Sequence, residues 1–243
     1  LESLRTLAER YDGYGNSIRR VMEVRDRIHG IRGVVADIIS TEKKYETAIE
    51  TALGGSIQNI VTDNEQTAKR MIEFLKKNKF GRATFLPLTQ IRSHGGIAQP
   101  QALNEEGVIG LADTLVMVED KYLELAGSLL GRTLVVDHID HGLAIARKYR
   151  QSIRIVTLEG DLINPGGSMT GGAFKNSSNL LSRRREIEDL EQAVQKLRAD
   201  VAKTEQEIAE LKNNRSSYYD KIEQIKDLLQ KAYVRQNTAK MNA

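Results

Sequence analysis

The chain has 243 residues, a formal net charge of +3 and no cysteine, so disulfide frameworks and thiolate metal sites are excluded. No apolar run approaches the roughly 18 residues of a bilayer-spanning helix, and no membrane partner is expected. Acidic and basic residues balance between Gly30 and Ser178, with the small basic surplus in the flanks, so net charge alone argues little for a nucleic-acid partner.

Residues 1–29 carry a helical seam. Leu4, Leu7, Tyr11, Tyr14, Ile18, Val21 and Ile28, with Arg25 in one seam position, follow steps of three and four, the spacing of a coiled coil. Gly13 and Gly15 interrupt it, each at about 1 kcal/mol in a helix interior, and a break is expected there.

Residues 30–178 repeat themselves. Lys44-Tyr45 followed by Leu53-Gly54 is matched by Lys121-Tyr122 followed by Leu130-Gly131. Strand-like runs precede both, VVADII at 34–39 and TLVMVE at 114–119. Each half continues with a strand (QNIVTD at 58–63, TLVVDH at 133–138), a helical pattern, and a closing strand (RATFLPL at 82–88, RIVTLEG at 154–160). The order strand–helix–strand–helix–strand therefore occurs twice. The first half spans 30–88 and the second 108–178, joined by a polar linker at 89–107. The expected fold class is α/β (α+β), two pseudo-repeated subdomains packed together, since about 75 residues make a marginal core alone.

Residues 179–243 read as one long helix. Ile187, Leu190, Val194, Leu197, Val201, Thr204, Ile208, Leu211, Arg215, Tyr218, Ile222, Ile225 and Leu229 keep the heptad spacing. The two flanks suggest an antiparallel coiled coil formed by N- and C-terminal helices leaving and re-entering one globule. Both ends stop inside helical pattern, as in a piece of a longer chain.

Chemistry is sparse. No nucleophile elbow or P-loop is present, and the carboxylates fit ordinary i, i+4 surface pairing; no catalytic residue is expected. DHIDH at 137–141 is the best metal candidate, yet it also suits a helix start, where Asp complements the dipole; no metal site is assigned. The segment EGDLINPGGSMTGGAF at 159–174 concentrates Gly160, Gly166, Gly167, Gly171 and Gly172. Glycines this dense admit a close approach of something to the backbone, either another chain or a phosphate or nucleotide. Basic residues gather at the junction of flank and globule: Lys175, Arg183, Arg184 and Arg185 on one side, Arg25 and Arg27 on the other. They suit non-specific phosphate contact, as in DNA.

GIRGVV at 30–35, GRATFLPL at 81–88 and GDLINPGGSMTGG at 160–172 together resemble the hinge of structural maintenance of chromosomes (SMC) proteins, of bacterial or archaeal type. The resemblance covers nearly the whole chain. It implies a homodimer through the surface bearing Gly160, Gly166, Gly167, Gly171 and Gly172. It further implies a parent ATPase of chromosome condensation and segregation, cytoplasmic and nucleoid-associated. ATP hydrolysis and kleisin-type partners would belong to head domains outside this chain, which itself needs no cofactor. Many such hinges place several lysines after the terminal Gly-Gly; here only Lys175 stands there.

Overall fold

The computed structural model describes residues 14–93, 95–172 and 180–241. They fall into two compact units, one ending at Glu188 and one beginning at Asp189. The outer part of the N-terminal seam, Leu4, Leu7 and Tyr11, lies outside the described residues, as does Lys175. Tyr14 is partly buried, and helix α1 (Asn16–Met22) buries Ile18 and Val21 in the globular core. These two seam positions therefore serve the globule.

The first half starts with β1 (Ile31–Val34), a single helical turn α2 (Val35–Ile38) and β2 (Ser40–Thr41). It continues with α3 (Glu46–Leu53), β3 (Ile60–Thr62), α4 (Glu65–Asn78) and β4 (Phe85–Pro87). The second half repeats this as β5 (Val108–Leu111), a turn at Ala112–Leu115, β6 (Val116–Met117), α5 (Leu123–Leu130), β7 (Thr133–Val136), α6 (Ile139–Lys148) and β8 (Arg154–Thr157). Two further strands follow, β9 (Leu162–Ile163) and β10 (Met169–Thr170).

The repeat extends to strand register. β3 pairs antiparallel with β1 and parallel with β4, just as β7 pairs with β5 and β8. Both antiparallel pairs carry an irregularity at the same place, between Ile31 and Gly33 and between Val108 and Gly110. β2 and β6 pair antiparallel with Ser40 opposite Met117. Those two are repeat equivalents, as Lys44 and Lys121 are, so the pseudo-two-fold axis passes through this pair. Lys44 lies over the Tyr45 ring at 4.6 Å and Lys121 over Tyr122 at 4.8 Å, so the duplicated Lys-Tyr pair has duplicated geometry.

Burial pattern explains the helices. Asn64 caps α4 by accepting from the Thr67 N–H at 2.9 Å, and Thr67, Ala68, Met71 and Leu75 form its buried face, spaced for one side of a helix. One core joins both halves through Val34, Ile49, Ile60, Leu125, Leu130 and Val135; a second, inside the second half, gathers Leu134, Ile145, Ile155 and Ile163.

Three expectations need correction. The run at 34–39 is mostly the turn α2, because Val34, Val35, Ala36 and Ile39 are all buried and no alternation demands a strand. The Asp37 carboxylate accepts from the Val34 N–H at 3.1 Å and steadies that turn. The run at 114–119 likewise opens in a turn, and only Val116–Met117 is strand. The polar linker is packed: Ile97 and Ala102 are buried, and Glu105 accepts from Lys148 Nζ at 2.7 Å and Tyr149 Oη at 2.6 Å.

Helix α7 (Leu180–Met241) is continuous over 62 residues, as the heptad spacing of the C-terminal flank requires. In the unit from Asp189 onward its seam residues Leu197, Val201, Ile208, Leu211, Tyr218, Ile222, Ile225 and Leu229 are exposed.

Candidate functional site

The glycine-rich segment folds as a hairpin on the edge of the second-half sheet. After β8 the chain turns at Gly160, whose N–H donates to the Thr157 carbonyl at 3.0 Å. It runs back as β9 beside β8, then turns again through Asn164-Pro165-Gly166-Gly167 into β10. The Gly167 N–H donates to the Asn164 carbonyl at 3.0 Å. With proline second and Gly166 third at φ +88°, this is a type II turn, which favours glycine at that third position.

The remaining glycines answer to contacts inside the chain or stand open. A Cβ on Gly171 would strike Asp161 Oδ1, and Asp161 is oriented by Thr157, whose hydroxyl accepts from the Asp161 N–H at 2.9 Å. Among the described residues, nothing lies within 4 Å of a Cβ on Gly166 or Gly172. The structure thus brings Gly160, Gly166, Gly167, Gly171 and Gly172 onto one hairpin and its exit. The Gly166 N–H donates to the Gln151 carbonyl at 2.9 Å. The amides a phosphate cradle would draw on at this turn are therefore engaged within the chain.

The hairpin breaks the repeat, and the break has a consequence. In the second half the outer edge of β8 is covered by β9 and then β10, whereas in the first half no described strand pairs with the outer edge of β4. The Ile60 N–H donates to Thr84 O at 2.9 Å and the Leu88 N–H to Thr62 O at 2.8 Å, so even-numbered residues of β4 face β3. Phe85 and Pro87 face the open side. Pro87, lacking an N–H, occupies a position that suits proline only at an edge. On the corresponding side of the second-half sheet the edge is β10, where Met169 is 52% exposed and Thr170 is exposed.

The basic residues separate. Arg25 and Arg27 are exposed on the turn after α1, and Arg25 lines a groove of about 560 Å³ beside the Ser40–Met117 pair, with Arg32 and Lys121. Arg183 and Arg184 lie in the first turns of α7, their side chains outside the described set. Arg185, expected as a phosphate contact, is instead paired with Glu46 of α3. The reason is burial: Glu46 is 5% exposed, and a buried carboxylate needs a cation.

Glu46 and Glu50 were missed from the sequence. ETAIETAL places both on the face of Ile49 and Leu53, one turn apart, where an amphipathic helix calls for apolar side chains; that placement was the available signal. In the DHIDH cluster, His138 precedes α6 and Asp137 accepts from the His138 N–H at 2.6 Å. Asp137 also meets His141 Nδ1 at 2.7 Å, which holds the imidazole above its ordinary pKa and the carboxyl below its own.

Comparison with known proteins places this geometry. The family model described as SMC proteins Flexible Hinge Domain matches residues 28–146. The chromosome partition protein Smc of Bacillus subtilis is 42% identical over 216 residues, covering 88% of this chain and 18% of that protein. The chain thus spans less than a fifth of the length of this relative. Among solved structures, the asymmetric dimer of the Geobacillus stearothermophilus SMC hinge domain is 36% identical with a TM-score of 0.75, covering 84% of this chain and 83% of that one. The Pyrococcus furiosus SMC hinge domain is 29% identical with a TM-score of 0.55, covering 70% and 86%.

Proposed function

Because the chain belongs to the flexible hinge family of SMC proteins, we propose that it joins two copies of its parent by pairing the β9–β10 hairpin of one protomer with the open edge of β4 in the other. The observation that carries this reading is the asymmetry of the repeat. Among the described residues, one half-sheet continues into the edge strands β9 and β10 and the other ends at β4 with no strand beyond it. A two-fold axis satisfies both edges twice and closes the assembly without a repeating fibre. Strand addition supplies main-chain hydrogen bonds, and edges left bare would invite uncontrolled pairing. Gly160, Gly166, Gly167, Gly171 and Gly172 then act chiefly by shaping the hairpin, with Gly166 and Gly172 leaving open space for a partner.

The parent protein, on this reading, is a chromosome-partitioning ATPase of the nucleoid. Its ATP-hydrolysing heads and kleisin-type partners lie outside this chain. Helix α7 serves as one arm, its exposed heptad seam covered by the opposing arm helix. Non-specific DNA contact is assigned to Arg25, Arg27, Lys175, Arg183 and Arg184, with Arg185 withdrawn from that set. The competing reading, a phosphate or nucleotide held by the glycine loop, is disfavoured because the Gly166 and Gly167 amides already donate within the chain.

Light scattering on the chain and on a Met169→Glu, Thr170→Glu variant tests the dimer. Both side chains are exposed on β10, so the protomer fold should survive. The expected result is a dimer that becomes a folded monomer, whereas an unchanged mass would remove β10 from the interface.

A further inference from the structure

Two glutamates of α3 hold the root of α7. Glu46 pairs with the Arg185 guanidinium. One turn later, Glu50 is 8% exposed, and its Oε1 accepts from the Leu180 N–H at 3.0 Å. The Leu181 N–H is also directed at this carboxyl. Leu180 and Leu181 are themselves buried in the joint core. The second oxygen, Oε2, is buried and meets no donor among the described residues. The free N–H groups at the start of a helix favour a negative charge, while burial with one oxygen unsatisfied opposes it.

We propose that Glu50 is a proton-operated latch between α3 and the first turn of α7, closed when its carboxyl is protonated and loosened when it ionises. A protonated carboxyl keeps a carbonyl oxygen for the Leu180 N–H and loses the burden of a buried charge. Among the described residues, Glu46 is the charged side chain that acts on this carboxyl, and the charged groups on the neighbouring elements are engaged elsewhere or exposed. Glu46, on the same helix, adds repulsion to the ionised form and is engaged by Arg185. From α5, the carboxylate of Glu124 accepts from the Ser93 N–H at 2.7 Å. From β8, Arg154 donates to the Ala52 carbonyl at 2.9 Å, at the far end of α3. On the turn before α3, Lys44 is held by Glu42 and Lys43 is exposed.

Burial raises the Glu50 pKa from 4.5 to about 7, against the opposing effect of the Leu180 and Leu181 amides. The closed state therefore binds the proton more tightly than an opened, hydrated one. A raised folded pKa means that the contribution is complete below about 4.5 and is lost as pH rises through about 7. Between pH 6 and 8 the opening equilibrium should grow roughly tenfold. Because α3 packs on β8, beside β9 and β10, the latch lies between the arm root and the sheet that carries the hairpin. The latch does not depend on what that hairpin binds.

Hydrogen exchange of the Leu180 and Leu181 amides, measured by NMR at pH 6 and 8 and corrected for intrinsic exchange, tests it. The expected result is an extra tenfold exposure at pH 8 in the native chain and none in Glu50→Gln. The Glu50 side-chain carboxyl carbon should titrate near neutrality in the unaltered chain, a readout that does not need the variant to fold. A carboxyl titrating in the ordinary glutamate range, or corrected exchange equal at both pH values, overturns the latch.

Discussion

Arg185→Ala is expected to destabilise the globular unit by about 3 kcal/mol, near the low end for breaking a buried ion pair. The variant leaves Glu46, 5% exposed, without its cation and one helical turn from Glu50. The Glu46 carboxylate then loses its ion pair on a buried face that it shares with a second acidic side chain. The low end applies because the Arg185 side chain is 30% exposed, so solvent already screens part of the pair. Replacing both partners by leucine should recover most of the loss, because no charge is then left buried. Urea denaturation of the single and double variants measures both effects. A loss below about 1 kcal/mol for Arg185→Ala would mean that Glu46 does not depend on this cation.

Ile163→Ala is expected to cost about 2–5 kcal/mol, the range for truncating a buried aliphatic residue to alanine, and to weaken self-association as well. Ile163 is 2% exposed and is the residue of β9 that enters the second-half core. It packs towards α6 at Gly142, where a Cβ would come within 3.2 Å of Ile163 Cδ1 and 3.5 Å of Ile155 Cγ2. The missing side chain of Gly142 thus makes the seat for the hairpin. Truncating Ile163 empties that seat, and the hairpin keeps its strand pairing with little apolar anchorage. Denaturation together with sedimentation would show both losses. A stability loss without any change in association would separate hairpin packing from the interface.

Much of this architecture was legible in the sequence, for a definite reason. The duplicated Lys-Tyr and Leu-Gly spacing marks a duplicated backbone path, and strands β3, β4, β7 and β8 fall within the runs expected for them. The heptad spacing after Asn179 likewise resolves into one continuous helix. The reading failed where burial overrode alternation. Between 34 and 39 Val34, Val35, Ala36 and Ile39 are buried on both parities, so periodicity carried no information and a turn took the place of a strand. β1 and β5 lie largely before the runs read as strands, and each carries a glycine, Gly33 and Gly110, at which strand pairing shifts register.

The site was legible as a segment and illegible as a shape. Glycine density located the hairpin, but the demands of its turns and of Asp161 account for most of those glycines within one chain. The open edge of β4 is a property of pairing order, which no local pattern encodes. Arg185 illustrates the same limit. Its neighbours in sequence suggested a basic cluster, whereas its partner Glu46 lies 139 residues away. Only the folded chain brings them together.

The central claim is that β10 of one protomer lies beside β4 of another. The chain contains no cysteine, so a single introduced pair reports on that contact without background. One preparation would carry Thr170→Cys and the other Thr84→Cys, both at exposed positions next to the proposed seam. Mixed under mild oxidation, they should form a heterodimeric disulfide in high yield, while each alone should cross-link poorly. Equal cross-linking of the mixed and separate preparations, or none from a chain that remains dimeric, would contradict the edge-to-edge assembly.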